Sequence, residues 1–448
     1  MNPTLCGPRI LRHVRHLSET IGPRLAGSEA EQRGADYIER QMRRIGLQDV
    51  HQQPFVCKWY EIEHASLQAK FGRQWRAVTM DAVAHTPSTP GEIEAELVYV
   101  GTGSEMEMEG LDLRDKVALV HGTYGPNIHM LQRLAAAQVA AVIWTDVRYT
   151  APWNVLIGLP WTFLPYFTFP AASVPFPVAW ELVAQQVKRV RLNLQVTVED
   201  RPSQNVIGRL PGKTKEGGVL ICGHHDTVRA VRGAEDNAAG VACVLQAAEA
   251  LAQVPLQRSV TFVSFGTEEQ LSQGAYEYVN CERYRADELD LVLNVDAVGS
   301  WTGVNELYAY GSDSFHKFLE DHLTRLRYPH ETFRDPQAFS DHFPFIVRGV
   351  PAVWLSRRNC AGGRWFHHSV YDTMEQLSPD QLARCAEVVV TLAQDVAGRD
   401  ALPYERAFPA RVRREIHNVA RGWFPQEPIP PRRCAGRSGE RGVRRKTI

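Results

Sequence analysis

Residues 219–240 are VLICGHHDTVRAVRGAEDNAAG. Val219–Cys222 is an unbroken apolar run, short enough to be a strand buried on both faces. It ends in His224, His225 and Asp226 and crosses a loop of glycine and charge. It then meets Asp236 and Asn237, either of which suits the cap of the following helix, NAAGVACVLQAAEALAQ. A buried strand delivering this much charge to its end needs a reason.

The same pattern extends downstream. SVTFVSFG, LDLVLNVDAVG and PAVWLS are further apolar strands. Between and after them lie the helical patterns SQGAYEYVNCERY, DSFHKFLEDHLTRL and PDQLARCAEVVVTLAQDVAG, the last opened by Ser378 and Pro379. Uniformly apolar strands alternating with amphipathic helices predict an α/β fold, a mostly parallel (mixed) central sheet with helices on both faces.

Upstream, residues 9–47 read as helical, with Ala35, Ile38, Met42 and Ile45 on one face; Ser28 followed by Glu31 is a capping box. The texture changes between 61 and 200. AELVYVG, KVALVHG, AAVIWTD and VRLNLQVTV are strand-like, with one helix, MLQRLAAAQVA. The expected division is a discontinuous catalytic domain, 1–60 with 201–400, a β-rich insert at 61–200, and a Pro/Arg-rich extension at 401–448, partly disordered at its end. Residues 151–180 carry no charge but six prolines. Proline costs about 3 kcal/mol inside a helix, so this is a buried or interface-forming irregular segment rather than a membrane span.

The 448 residues are 44% hydrophobic and 23% charged, with a formal net charge of −1. A packed core is expected, and nothing global points to nucleic acid or an anionic membrane. Eight cysteines are scattered singly, which suits free thiols in a reducing compartment. With no secretory signal visible at the start, a cytoplasmic location is expected.

Three strands end in acids or imidazoles: His224-His225-Asp226, Glu268-Glu269 and Asp296. In open α/β sheets ligands bind outside the carboxyl ends of the strands. Taken singly, these are a surface turn, a solvated pair and a turn residue, and Asp236 is a helix cap. Together they would crowd carboxylates at one edge, where desolvation is costly unless a cation neutralises them. The mixture of imidazole and carboxylate suits zinc better than magnesium or calcium. WFHHSVYDT adds His367, His368 and Asp372.

These residues carry a resemblance. GHHDT, GAEDNAAG, FGTEEQLSQGAYEYV, LNVDAVG, SDHFPF before GVPAVWL, and FHHSVYDT occur in the order of the motifs of the co-catalytic dizinc aminopeptidase family. That family includes bacterial leucyl aminopeptidase, aminopeptidase Y and the glutamate carboxypeptidases. IGPRLAGSEAEQRGADYI and SQNVIGRLPG resemble its opening helix region and entry strand, and 61–200 resembles the protease-associated domain often inserted there.

The resemblance implies a zinc-dependent exopeptidase, most simply an aminopeptidase, acting on peptide or small aminoacyl substrates. Two Zn²⁺ ions would be held by His224, Asp236, Glu269, Asp296 and His368. Asp236 would bridge, His224 with Asp296 completing one ion and Glu269 with His368 the other. Glu268 matches the general base, a hydroxide bridging the ions the nucleophile. Asp226 and Ser340 match the partners orienting His224 and His368, and Asp236-Asn237 matches a cis peptide bond. Two divalent ions balance Asp236, Glu269, Asp296 and one hydroxide, which answers why the strand end is charged. No oxyanion donor is assigned among Gln337, Ala338 and Phe339. Arg357 and Arg358 are candidates for a substrate carboxylate, as in a carboxypeptidase or dipeptidase. A single-zinc cyclase and a non-catalytic protein on the same fold are the rivals, and both predict eroded ligands.

Overall fold

The computed structural model describes residues 5–122, 127–148, 151–214 and 217–424. Eight strands precede the opening stretch: β1 (Gln48–Phe71), β2 (Gln74–Ala77), β3 (Asp81–Ala82), β4 (Ile93–Tyr99), β5 (Val117–Gly122), β6 (Ala141–Asp146), β7 (Ala171–Ser173) and β8 (Arg189–Leu210). Six follow: β9 (Val219–His224), β10 (Val260–Phe265), β11 (Leu291–Val295), β12 (Val304–Tyr310), β13 (Glu331–Phe333) and β14 (Ala352–Arg358).

The main path runs β13-β12-β14-β11-β9-β10-β8-β4-β5-β6-β7-β3, with β1 paired to β8 and β2 to β1. Its centre, β10-β9-β11-β14, is all parallel. Antiparallel neighbours flank it, β8 against β10 and β12 against β14. The sheet is therefore mixed and mostly parallel at its core, the α/β class expected. From β9 the chain passes through helix Gly240–Leu251 to β10 on one side, then returns to β11 on the other. That reversal opens a crevice at the carboxyl ends.

Alternate residues of each central strand bury opposite faces. Val219, Ile221, Leu291 and Leu293 pack against helices Gly7–Arg15, Glu29–Ile45, Gly240–Leu251 and Pro379–Ala397. Leu220, Cys222 and Val292 pack on the other side, against helices Gln273–Val279 and Phe343–Val347. A helix within the extension beyond 400, Ala410–Trp423, completes that layer through Ile416 and Ala420. Phe424 then stacks on Tyr276 and Phe343.

The ribbon of β1 and β8 runs unbroken through residues 60 and 200. Beyond it β4 to β7 build two apolar clusters of their own. Ser28 caps its helix by accepting from Glu31 N, but the capping box does not close. The Glu31 carboxylate is buried and accepts instead from Gly27 N at 2.7 Å and Ser203 Oγ at 2.7 Å. Six cysteines, 6, 57, 222, 243, 360 and 385, are free. Cys281 is disulfide-bonded, which departs from the expectation of free thiols throughout. Among the described residues no helix is long and apolar enough to cross a membrane.

Candidate metal centre and active site

His224 is the last residue of β9, Asp296 directly follows β11, and Glu268-Glu269 begin three residues past β10. The parallel register brings these ends together at one edge. Asp236 arrives from the tight turn Ala234–Ala239, with a cis Asp236-Asn237 bond as the resemblance implied. Asn237 fixes this turn: its Nδ2 donates to Val295 O at 2.9 Å, and its Oδ1 accepts from Gly240 N at 2.9 Å, capping the helix. Gly240 must be glycine, because a Cβ there would sit 2.1 Å from Val295 O. Asp372 braces the same turn, accepting from Glu235 N at 2.7 Å and Asp236 N at 3.0 Å.

Asp226 lies 3.5 Å from His224 Nδ1. Its shorter bonds hold the Glu268-Glu269 turn, accepting from Glu268 N at 2.9 Å and Glu269 N at 3.2 Å. That turn is strained: Thr267, Leu271 and Ser272 all have left-handed backbone, unusual for residues with a Cβ. Ser340 requires a correction. It donates to Asp296 Oδ2 at 2.5 Å and accepts from Asn294 Nδ2 at 2.6 Å, so it orients Asp296 and not His368. The partner of His368 comes from the uncharged segment: Leu156 O lies 3.0 Å from His368 Nδ1, and Leu156 N donates to His368 O at 3.0 Å. A proton on Nδ1 leaves the Nε2 lone pair free to bind a cation.

The donor atoms test whether zinc fits. Two donors on a tetrahedral zinc, each about 2.0 Å from it, lie about 3.3 Å apart. His224 Nε2 is 3.2 Å from Asp236 Oδ1 and 3.3 Å from Asp296 Oδ1. Around the other oxygen of Asp236, His368 Nε2 is 2.9 Å from Glu269 Oε2 and 3.8 Å from Asp236 Oδ2. The first set closes, its three ligand atoms all within 4.8 Å of one another; around Asp236 and His368 it is His367 that closes a second such set, and Glu269 reaches it through His368 alone. Burial pushes the Glu268 and Glu269 carboxyls above their usual range, the cost that a bound cation offsets.

Of the neighbouring histidines, His225 points elsewhere, its Nδ1 3.0 Å from Ser264 Oγ. His367 lies closer than expected. Its ring stacks on His368 at 3.7 Å, and its Nδ1 is 3.5 Å from Asp236 Oδ2. Arg364 was not singled out in the sequence, yet its Nη2 donates to Asp236 Oδ2 at 2.8 Å and its Nε lies 3.3 Å from Glu235. Only a folded loop reveals it, since a lone arginine in CAGGRWF carries no spacing signal. Arg357 is buried and structural, bonded to Ser300 O at 2.8 Å and Asn305 Oδ1 at 2.6 Å.

A cavity of about 580 Å³ opens over these groups. Asp236, Glu268, Glu269, Asp296 and His368 line one side. Val155, Leu156, Ile157, Gly158 and Pro160 form a facing wall, so the proline-rich segment roofs the cleft. In the same segment Trp153 packs against Tyr371 at 4.6 Å and Trp365 at 5.4 Å.

The fold with its imidazole–carboxylate cluster defines a class, the zinc metallo-exopeptidases. The model of peptidase family M28 matches residues 205–393 of this chain. It is 25% identical over 410 residues to aminopeptidase YwaD of Bacillus subtilis (strain 168), covering 87% of this chain and 85% of that protein. It is also 25% identical over 413 residues to carboxypeptidase Q of Rattus norvegicus, covering 86% and 84%. The solved structure of BSAP, a zinc aminopeptidase from Bacillus subtilis, superposes with a TM-score of 0.72 at 22% identity, covering 91% of this chain and 98% of that one.

Proposed function

We propose that this zinc exopeptidase is an aminopeptidase with two co-catalytic ions, one held by His224, Asp236 and Asp296, the other by Asp236, Glu269 and His368. The observation that favours the amino end of the substrate is the state of the cavity's arginines. Arg148 pairs with Asp146, Arg358 with Glu306 and Glu331, and Arg364 with Glu235 and Asp236. A carboxypeptidase needs a guanidinium left for the substrate carboxylate. Here each one lining the cavity is already matched by the chain's own acids.

Bound zinc supplies an acidified water and a polarised scissile carbonyl. Glu268 takes the proton from the attacking water and delivers it to the departing amine nitrogen as the C–N bond breaks. Ser272 Oγ, 3.2 Å from Glu268 Oε1, steadies that carboxylate, and Asp226 fixes the backbone carrying it. Burial raises the Glu268 carboxyl, which suits a group that must both accept and return a proton. Leu156 and Ser340 hold His368 and Asp296 in their donor orientations. The β-rich part between β1 and β8 is read as a protease-associated-like insert whose 151–180 segment excludes water from the cleft.

Glu268→Gln tests the assignment. It should lower kcat by a factor on the order of 10² or more while zinc content stays at that of the unaltered chain. Near-normal turnover would remove Glu268 from the mechanism.

A further inference from the structure

The cavity runs away from the metal centre over one face of β14, β12 and β13. Their register aligns Trp354, Tyr308 and Phe333 in one row, and Ser356, Glu306 and Glu331 in the next. All six line the cavity. The aromatic row begins beside the ligands, where Trp354 Nε1 donates to Asp296 O at 3.3 Å. It continues as a stack, Trp354 on Tyr308 at 4.5 Å and Tyr308 on Phe333 at 5.0 Å. The acidic row lies beside it, two residues along each strand and about 7 Å away.

Charge in that arm is not balanced. Arg358 is 2.7 Å from Glu306 and 2.9 Å from Glu331, one cation between two carboxylates. Asp146 is matched by Arg148, and the acids near the ions are matched by the ions and Arg364. The surplus negative charge of the cavity therefore sits at Glu306 and Glu331, along one edge of an aromatic floor. A long aliphatic stem packs well on such a floor, and a cationic tip is what its acidic edge lacks. A carboxylate there would meet two like charges before reaching Arg358.

We propose that this arm is a specificity pocket for a substrate residue with a long cationic side chain, lysine or arginine, with Glu306 and Glu331 as the discriminating groups. The inference rests on the aminopeptidase reading, since the side chain concerned is that of the residue released.

The test uses the full zinc-loaded chain and three aminoacyl p-nitroanilides: lysine, norleucine and glutamate. Lysine and norleucine differ only in the terminal ammonium. The expected kcat/KM for lysine exceeds that for norleucine roughly fivefold, as for a part-exposed charge pair, with glutamate poorest. The preference shrinks in about 0.5 M salt. Glu331→Gln, at a half-exposed position, and Glu306→Gln each bring the ratio toward one; the first keeps the test open if the second, more buried change impairs folding. A lysine-to-norleucine ratio at or below one, or a ratio that neither variant changes, overturns the pocket. Chelator-sensitive norleucine turnover in that case leaves the aminopeptidase reading standing. No turnover of any of the three overturns both.

Discussion

A single methyl group at Gly158 tests how the proline-rich wall supports the metal centre. An ideal Cβ built on Gly158 falls 2.6 Å from the backbone oxygen of Glu269. An ordinary carbon–oxygen contact is about 3.3 Å or more, so Gly158→Ala must drive the wall and the Glu269 turn apart by about 0.6–0.7 Å. Both partners serve the same ion. Glu269 is one of its proposed ligands, and Leu156, two residues before Gly158, holds His368 at 3.0 Å. His224 ends β9 and Asp296 directly follows β11, and neither depends on the wall. Since about 1 Å of misplacement costs on the order of 10²-fold in rate, the expected loss in kcat/KM is about tenfold. Zinc titration against a competing chelator should show weakened binding of one ion and unchanged binding of the other. Gly422→Ala is the control, because nothing lies within 4 Å of a Cβ there. A Gly158→Ala chain that binds both ions and turns over substrate as the unaltered chain does would show that the wall does not support this ion.

Two further outcomes follow from buried groups away from the ions. Arg24 is fully buried and donates to the carbonyls of His225 (2.7 Å), Leu17 (2.9 Å), Gly22 (2.8 Å), Arg232 (2.9 Å) and Gly233 (3.0 Å). Arg24→Met orphans these acceptors at a cost of about 3–5 kcal/mol; with about 0.9 kcal/mol/K of unfolding entropy for a chain this long, calorimetry should show Tm lower by about 3–5 °C. His85 and His342 are held neutral, burial pushing them down to about 4 and about 3 from 6.5. Below pH 6.5 the unfolded chain takes up their protons and the folded chain does not, so stability should fall as pH drops from 6.5 toward 4. His85→Gln should flatten that slope at pH 5 by about one proton, read by denaturant unfolding at several pH values.

Where the signal is local, it was present in the sequence. The apolar runs at 219–222 and 291–293 fix strands buried on both faces, and the acids at their ends share one edge because parallel strands end together. Side-chain pairing across the fold was less legible. Ser340 was matched to His368, yet it bonds Asp296, because β11 and the turn before Phe343–Val347 lie side by side only once folded. Glu31 carried the pattern of a capping box but turns to Gly27 and Ser203, which the approach of β8 decides. Arg364 gave no signal, since its partners are 128 and 129 residues away in the chain. The segment 151–180 showed by its prolines that it is no spanning helix. That its Leu156 carbonyl orients a metal ligand depends on the insert's seating, which no local pattern encodes.

In the proposed centre Asp236 joins two cation sites, one completed by His224 and Asp296, the other by Glu269 and His368. Zinc equivalents per chain, measured by atomic absorption during titration of the full chain and of His224→Ala and His368→Ala, test it most directly. Two equivalents for the unaltered chain and one for each variant are predicted; a single equivalent in the unaltered chain, or two retained in either variant, would contradict it.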